Sequence, residues 1–185
     1  MTQTPNTIMF SRHGEKPSES GTPFGVDQHG EKDDHALSVR GWQRAGALAG
    51  LFQMNASAKY PGVVKPGVIY ATAPSSQSHS TREFNTAEPL AMALGLEVNT
   101  DFEHGHEHKL AKHVLEQSEN ALVVWHHGEI PEALSFFTIS NIADVPKEWP
   151  QERFDLLWVL TKSSEVDDYL FTSVNQQLLS GDLPS

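Results

Sequence analysis

The stretch Ile8-Met9-Phe10-Ser11-Arg12-His13-Gly14-Glu15-Lys16-Pro17 decides how the chain is read. An apolar run that ends in Arg-His-Gly has the form of a first β-strand running into a loop. In open α/β sheets, sites gather at the carboxyl ends of strands. A neutral imidazole such as His13 can attack an electrophile covalently. The neighbouring guanidinium of Arg12 can hold an oxyanion through two parallel hydrogen bonds. Gly14 allows a tight turn or a close approach to a ligand. Together these residues describe a phosphoryl group being held and attacked.

Two later stretches have the same form. Val68-Ile69-Tyr70-Ala71 reads as a strand, and Ser80-Thr81-Arg82-Glu83-Phe84-Asn85-Thr86-Ala87 opens a helix soon after it. Leu122-Val123-Val124-Trp125-His126-His127-Gly128-Glu129 is a further apolar strand ending in histidine and glycine. Three strand ends therefore bring together arginines and histidines that a phosphoryl site needs. Arg82 in the first turn of a helix opposes the helix dipole, an arrangement that makes sense when an anion lies between it and the free backbone N–H groups.

In this order the motifs resemble the histidine phosphatase superfamily, with its phosphoglycerate mutase-like fold, in the manner of a small bacterial-type member. The resemblance runs from Ile8 to about residue 160. It rests on Ser11-Arg12-His13-Gly14-Glu15, Leu37-Ser38 followed by Gly41, Arg44 and Ala45, Arg82 followed by Thr86-Ala87-Glu88-Pro89-Leu90-Ala91, and His127-Gly128. It implies a three-layer α/β/α sandwich around a mostly parallel sheet. It also implies a metal-independent phosphatase that needs no cofactor. By match, His13 is phosphorylated, and Arg12, Arg82 and His127 hold the phosphoryl oxygens. Two glutamates compete as the acid that protonates the leaving oxygen, Glu103 being preferred to Glu129. Glu15, Lys16, Glu129 and Ser18 are candidates for lining the substrate site. Many relatives place Asn, Ser or Thr a few residues after the Arg-His-Gly; Pro17-Ser18-Glu19-Ser20 fills that stretch here, leaving Ser18 and Ser20 as alternatives.

The whole chain sets the bounds. Its 185 residues suit one domain, expected over 1–185, with enough length for a core. With no cysteine, disulfides, thiolate metal sites and cysteine nucleophiles are excluded. The net charge of −11 disfavours nucleic acid as a partner. It also repels phosphorylated ligands unless a local basic site overrides the field, which Arg12, Lys16, Arg44 and Arg82 can supply. No apolar run reaches the roughly 18 residues of a membrane span. Residues 1–6 lack the basic and apolar regions of a secretory leader, so a cytoplasmic location is expected, with a small phosphorylated substrate or a phosphoprotein as partner. Oligomeric state is not legible.

Along the chain, residues 14–35 are polar and rich in Gly and Pro, a loop long enough to border a site. Its histidines, His29 and His35, read as solvated. Ser38 caps a helix expected over about 38–55, on which Arg44 faces either the site or solvent. A helix from Ser80 or Thr81 ends at Gly95. Leu96–Asn99 reads as a short strand. His104, His106 and His108 alternate like a metal tract, but Gly105 and the helical Leu110-Ala111 pattern argue against a strand there. Pro131 opens a helix whose buried face includes Phe136, Phe137 and Ile139. Strands over 154–160 and about 169–174 close the chain, the last at an edge. Alternating strands and helices imply a layered α/β sheet. Two readings stand beside a phosphatase: a non-catalytic phosphate-binding or interaction domain on the same fold, and a mutase, for which the chain is short.

Overall fold

The structure is a computed structural model and describes residues 4–53, 59–75, 78–164 and 168–184. The elements are β1 (Thr7–Arg12), α1 (Val39–Gln53), β2 (Val68–Ala71), α2 (Arg82–Leu94), β3 (Val98–Asn99), α3 (Glu107–Leu115), β4 (Ala121–Trp125), α4 (Ile130–Leu134), β5 (Leu156–Lys162) and β6 (Tyr169–Asn175). The six strands form one sheet in the order β3-β2-β4-β1-β5-β6. β3, β2, β4 and β1 pair in parallel, and β5 and β6 add antiparallel ladders. The sheet is thus mixed with a parallel heart, and β6 is an edge strand as its sequence suggests.

The two-residue period of a strand sends alternate side chains to opposite faces. On one face Ile8, Phe10, Val123, Trp125, Trp158 and Leu160 pack with Leu110 and Val114 of α3 and Ile130 and Leu134 of α4. On the other, Met9, Leu122, Val124, Leu157 and Val159 pack with Leu48 and Phe52 of α1 and Leu90 of α2. A strand covered on both sides reads as a continuous apolar run, and this is why β1 and β4 stand out in the sequence. Each large side chain fully buried here contributes about 1.5–3 kcal/mol of transfer free energy.

Caps set the helix ends. The Gly41 N–H donates to Ser38 Oγ at 3.2 Å, so Ser38 caps α1 as expected. At α2 the cap comes from Ser80, whose Oγ accepts from the Arg82 N–H at 3.3 Å, while Thr81 makes no side-chain cap bond. Gly95 ends α2 at φ 67°, and the Leu96 N–H reaches back to the Ala91 carbonyl at 2.9 Å. The bond at Gly95 holds Leu96 to the helix, so β3 comprises only Val98–Asn99 instead of 96–99. The residues 54–55 expected to finish α1 lie outside the described residues.

Three further expectations change. α4 stops at Leu134, and Phe136 is 43 % exposed while Phe137 and Ile139, two residues apart, face the core. Ile139 bridges to Tyr169, which fixes that alternation. Arg44 neither solvates a helix face nor enters the site. It is 2 % exposed and bonded to Glu15, Gln176 and Asp182. β5 starts at Leu156, which leaves Phe154 ahead of the strand and beside β1's end. No helix among the described residues is long and apolar enough to cross a membrane.

Candidate active site

β1 and β4 are parallel neighbours with Arg12 in register with Trp125. Their carboxyl ends therefore deliver His13 and His127 side by side, with ring centroids 6.5 Å apart and planes 82° to each other. His13 is 3 % exposed. Its Nδ1 lies 2.6 Å from the Gly14 carbonyl oxygen. A carbonyl only accepts, so Nδ1 carries the hydrogen and Nε2 keeps its lone pair. Burial, opposed by Glu83 and aided by Arg12, pushes the His13 imidazole down to about 4. The ring is neutral at pH 7, as a nucleophile must be.

Arg12 is 2 % exposed. Its Nη1 donates to the Gln151 carbonyl, its Nη2 lies 3.4 Å from His127 Nδ1, and its guanidinium carbon sits 3.8 Å above the Phe154 ring. The Nε of Arg12 is buried without a hydrogen-bond partner among the described residues. Burial lowers Arg12 to about 10, which leaves it cationic at neutral pH. Burial and then Arg12 push His127 down to about 4 as well.

Gly14 serves backbone packing. A Cβ there would stand 2.8 Å from the Gly41 carbonyl oxygen, and a Cβ on Gly41 would stand 2.5 Å from that of Glu15. The neighbour that requires glycine is thus α1 rather than a ligand. The Gly14 N–H donates to Thr86 Oγ1 at 2.8 Å, and that hydroxyl donates to the Arg82 carbonyl at 2.7 Å. These contacts bind α1 and α2 to the histidine loop, so the motifs around Gly41 and Thr86 have a shared physical purpose.

A cavity of about 350 Å³ lies in front of Arg12 and His127, lined also by Lys16, Arg40, Glu152 and Phe154 among others; His13 itself sits behind them, outside the lining. Arg82 is not in that lining. Its Nε and Nη2 donate to the Ala36 and Asp34 carbonyls of the long loop at 3.2 and 2.8 Å. It lines a second cavity of about 400 Å³ that shares Lys16 and Pro17 with the first. Arg82 nevertheless lies near enough to His13 to lower its proton affinity.

The other candidates are placed as follows. Lys16 is exposed and lines both cavities. Glu15 borders the first, but its carboxylate accepts from Arg40 and Arg44. Ser18 is exposed in the second cavity, its Oγ donating to the Ser20 carbonyl at 2.9 Å. Glu103 is exposed just beyond β3. Glu129 turns to His104, with Oε2 2.6 Å from Nδ1. That hydrogen bond holds the Glu129 carboxyl below its ordinary value, against the opposing effect of burial, and raises His104. His126 turns toward the same carboxylate, 3.9 Å away. Of the histidine tract, only His104 joins this group. His106 sits at the N-cap of α3, and His108 lies beside Phe136.

Sequence reasoning did not pick out Glu83. It is 1 % exposed and accepts from Ser80 Oγ at 2.8 Å. Burial raises it, but His13 and that hydrogen bond bring its carboxyl below the ordinary value. It occupies the first turn of α2, where a helix favours negative charge. Its position beside Arg82 at a helix start was the available signal. Gln151, Glu152 and Phe154 were also missed as site residues; the first two come from a loop that sequence patterning leaves featureless, and Phe154 was read as the start of the strand that follows.

Among solved structures the chain is similar to "the putative phosphohistidine phosphatase SixA from Agrobacterium tumefaciens", with a TM-score of 0.51, 14 % identity, and coverage of 91 % of this chain and 97 % of that one. A second similar structure, "Mycobacterial hydrolase 2", has a TM-score of 0.47 and 14 % identity, covering 95 % of this chain and 93 % of that one. No family model and no curated protein matches the chain. The protein is an α/β chain with a mixed six-stranded sheet, of the phosphoglycerate mutase-like fold that the SixA structure also has.

Proposed function

We propose that the protein is a phosphatase that hydrolyses a phosphomonoester, on a small molecule or a protein, through a phosphohistidine at His13. The observation that carries this reading is a buried, neutral His13 whose tautomer is fixed by Gly14, beside Arg12 and His127. Nε2 attacks phosphorus while the bond to the leaving oxygen breaks and that oxygen takes a proton. Water then attacks the phosphohistidine, which releases inorganic phosphate and restores the imidazole. Arg12 and His127 steady the phosphoryl oxygens, and Arg82 joins them by leaving its loop carbonyls when an anion arrives. Phosphoryl transfer depends mainly on such positioning and charge stabilisation. The fold shared with the SixA structure supports the reading. The first test is hydrolysis of p-nitrophenyl phosphate in EDTA. Turnover that persists at full rate is expected; loss on chelation, restored by a metal, would contradict the metal-independent route.

The proton donor we assign is Glu103. Glu129 is engaged with His104 at 2.6 Å and is held in its charged form, which makes it a poor source of protons. Glu103→Gln is expected to slow an alkyl phosphate by roughly 10²- to 10⁴-fold, the usual span for a general acid. It should affect p-nitrophenyl phosphate far less, because that leaving group departs without a proton. Steady-state rates on both substrates check this. A large loss in Glu129→Gln with none in Glu103→Gln would move the role to Glu129.

A further inference from the structure

We propose that His104, His126 and Glu129 form a binding site for a divalent transition-metal ion of the zinc class. Their donor atoms all lie within 4.8 Å of one another. The three residues come from two short segments that independent contacts hold in place. His126 and Glu129 share one turn, closed by the Glu129 and Ile130 N–H groups on the His126 carbonyl at 3.0 and 3.2 Å. His104 precedes α3, where the Gly105 N–H donates to Glu107 Oε1 at 3.1 Å. The same Glu107 oxygen accepts from the Trp125 indole at 3.0 Å, which ties the His104 turn to the end of β4.

The second observation is His126 itself. Its Nδ1 is buried and has no hydrogen-bond partner among the described residues. Buried ring nitrogens are nearly always satisfied, and one that is not calls for an explanation. This nitrogen faces Glu129 Oε1 at 3.9 Å, too far for a hydrogen bond but a separation that an ion between the two can bridge. Two imidazoles and one carboxylate are a donor set that suits zinc and its neighbours, with water completing the shell. Glu107, 1 % exposed, adds negative charge behind the donors and steadies the His104 turn as an outer-shell partner would. An entering ion displaces the proton held between His104 and Glu129, which passes to solvent.

The site adjoins the candidate active site but is separate from its cavity. His126 lies against His127 with ring centroids 4.5 Å apart and planes tilted by 46°, yet neither His104, His126 nor Glu129 lines the space in front of Arg12. The inference does not depend on the phosphatase reading, because its test measures binding.

The test titrates the chelator-stripped full chain with zinc chloride by calorimetry. One saturable site is expected. His104→Ala and His126→Ala should each weaken it by about 100-fold or more, since outer-shell changes alone cost 10- to 100-fold. The double variant His106→Ala, His108→Ala should bind like the parent, which separates the site from casual capture by exposed histidines. Cobalt(II) gives a second readout, a visible absorption band expected in the parent and absent in His126→Ala. Circular dichroism confirms that each variant is folded. Absence of saturable binding, parent-like affinity in the His104 or the His126 variant, or loss in the His106/His108 variant would overturn the proposal.

Discussion

Replacing His13 with alanine is expected to lower the turnover of p-nitrophenyl phosphate by roughly 10⁴-fold or more, the scale on which covalent nucleophiles act. His127 is also neutral, but Arg12 lies 3.4 Å from its Nδ1 and engages that edge of the ring. The loss should appear in kcat with the fold intact, because the imidazole makes one side-chain hydrogen bond, to its neighbour's carbonyl. The pH profile of the parent is a companion result. With His13 pushed down to about 4, its lone pair is free above that pH and lost as pH falls through it. The acid limb of kcat/KM should therefore lie near pH 4, well below the roughly 6.5 of an ordinary histidine. A variant that keeps its activity would remove His13 as the nucleophile, and an acid limb near 6.5 assigned to His13 would contradict the depression of its imidazole by burial.

The second large effect is on stability. Arg44→Met is expected to destabilise the protein by about 3–5 kcal/mol, the cost of breaking a buried ion pair by deleting one partner. Arg44 donates to Glu15 at 2.8 Å, to Asp182 at 2.7 Å and to Gln176 at 3.1 Å. Asp182 also accepts from the Leu178 and Leu179 N–H groups at 2.8 and 3.0 Å, which pins the C-terminal segment against α1. Burial alone would lower Arg44 and raise Asp182; the hydrogen bonds between them reverse both, and Asp182 falls to about 2. A carboxylate whose folded value lies below its unfolded one stabilises the protein above about pH 4 and loses that contribution as pH falls toward 2. Urea unfolding of the variant at pH 7 measures the loss, which should shrink at low pH. A change under about 1 kcal/mol would mean that the two freed carboxylates find water or Arg40 instead.

Much of the fold was legible because its signals are local. β1 and β4 are apolar runs, Ser38 and Gly95 mark helix ends, and Pro131 marks a helix start. These depend on propensity and caps, which a few residues decide. The clustering of Arg12, His13 and His127 was legible too, since parallel neighbours deliver their carboxyl ends to one edge. What was not legible depends on distant partners. The burial of Arg44 is settled by Asp182, 138 positions away. Arg82 points at the Asp34 and Ala36 carbonyls because the long loop folds over α2, and no periodic pattern encodes that path. The closeness of Glu83 to His13 depends on how α2 docks, through Thr86, onto Gly14. In the histidine tract Gly105 argues against a shared strand face, as expected, since at φ 81° it turns the chain; that this turn sends His104 alone toward Glu129 depends on a partner 25 positions away.

A covalent phosphohistidine at His13 can be trapped during the first turnover. The protein is mixed with phosphate-labelled substrate, quenched within milliseconds in alkaline denaturant, and digested for mass spectrometry. Label is expected on the peptide that carries His13, and none in His13→Ala. Label on another residue, or hydrolysis with no labelled protein at any time before the first turnover is complete, would contradict it.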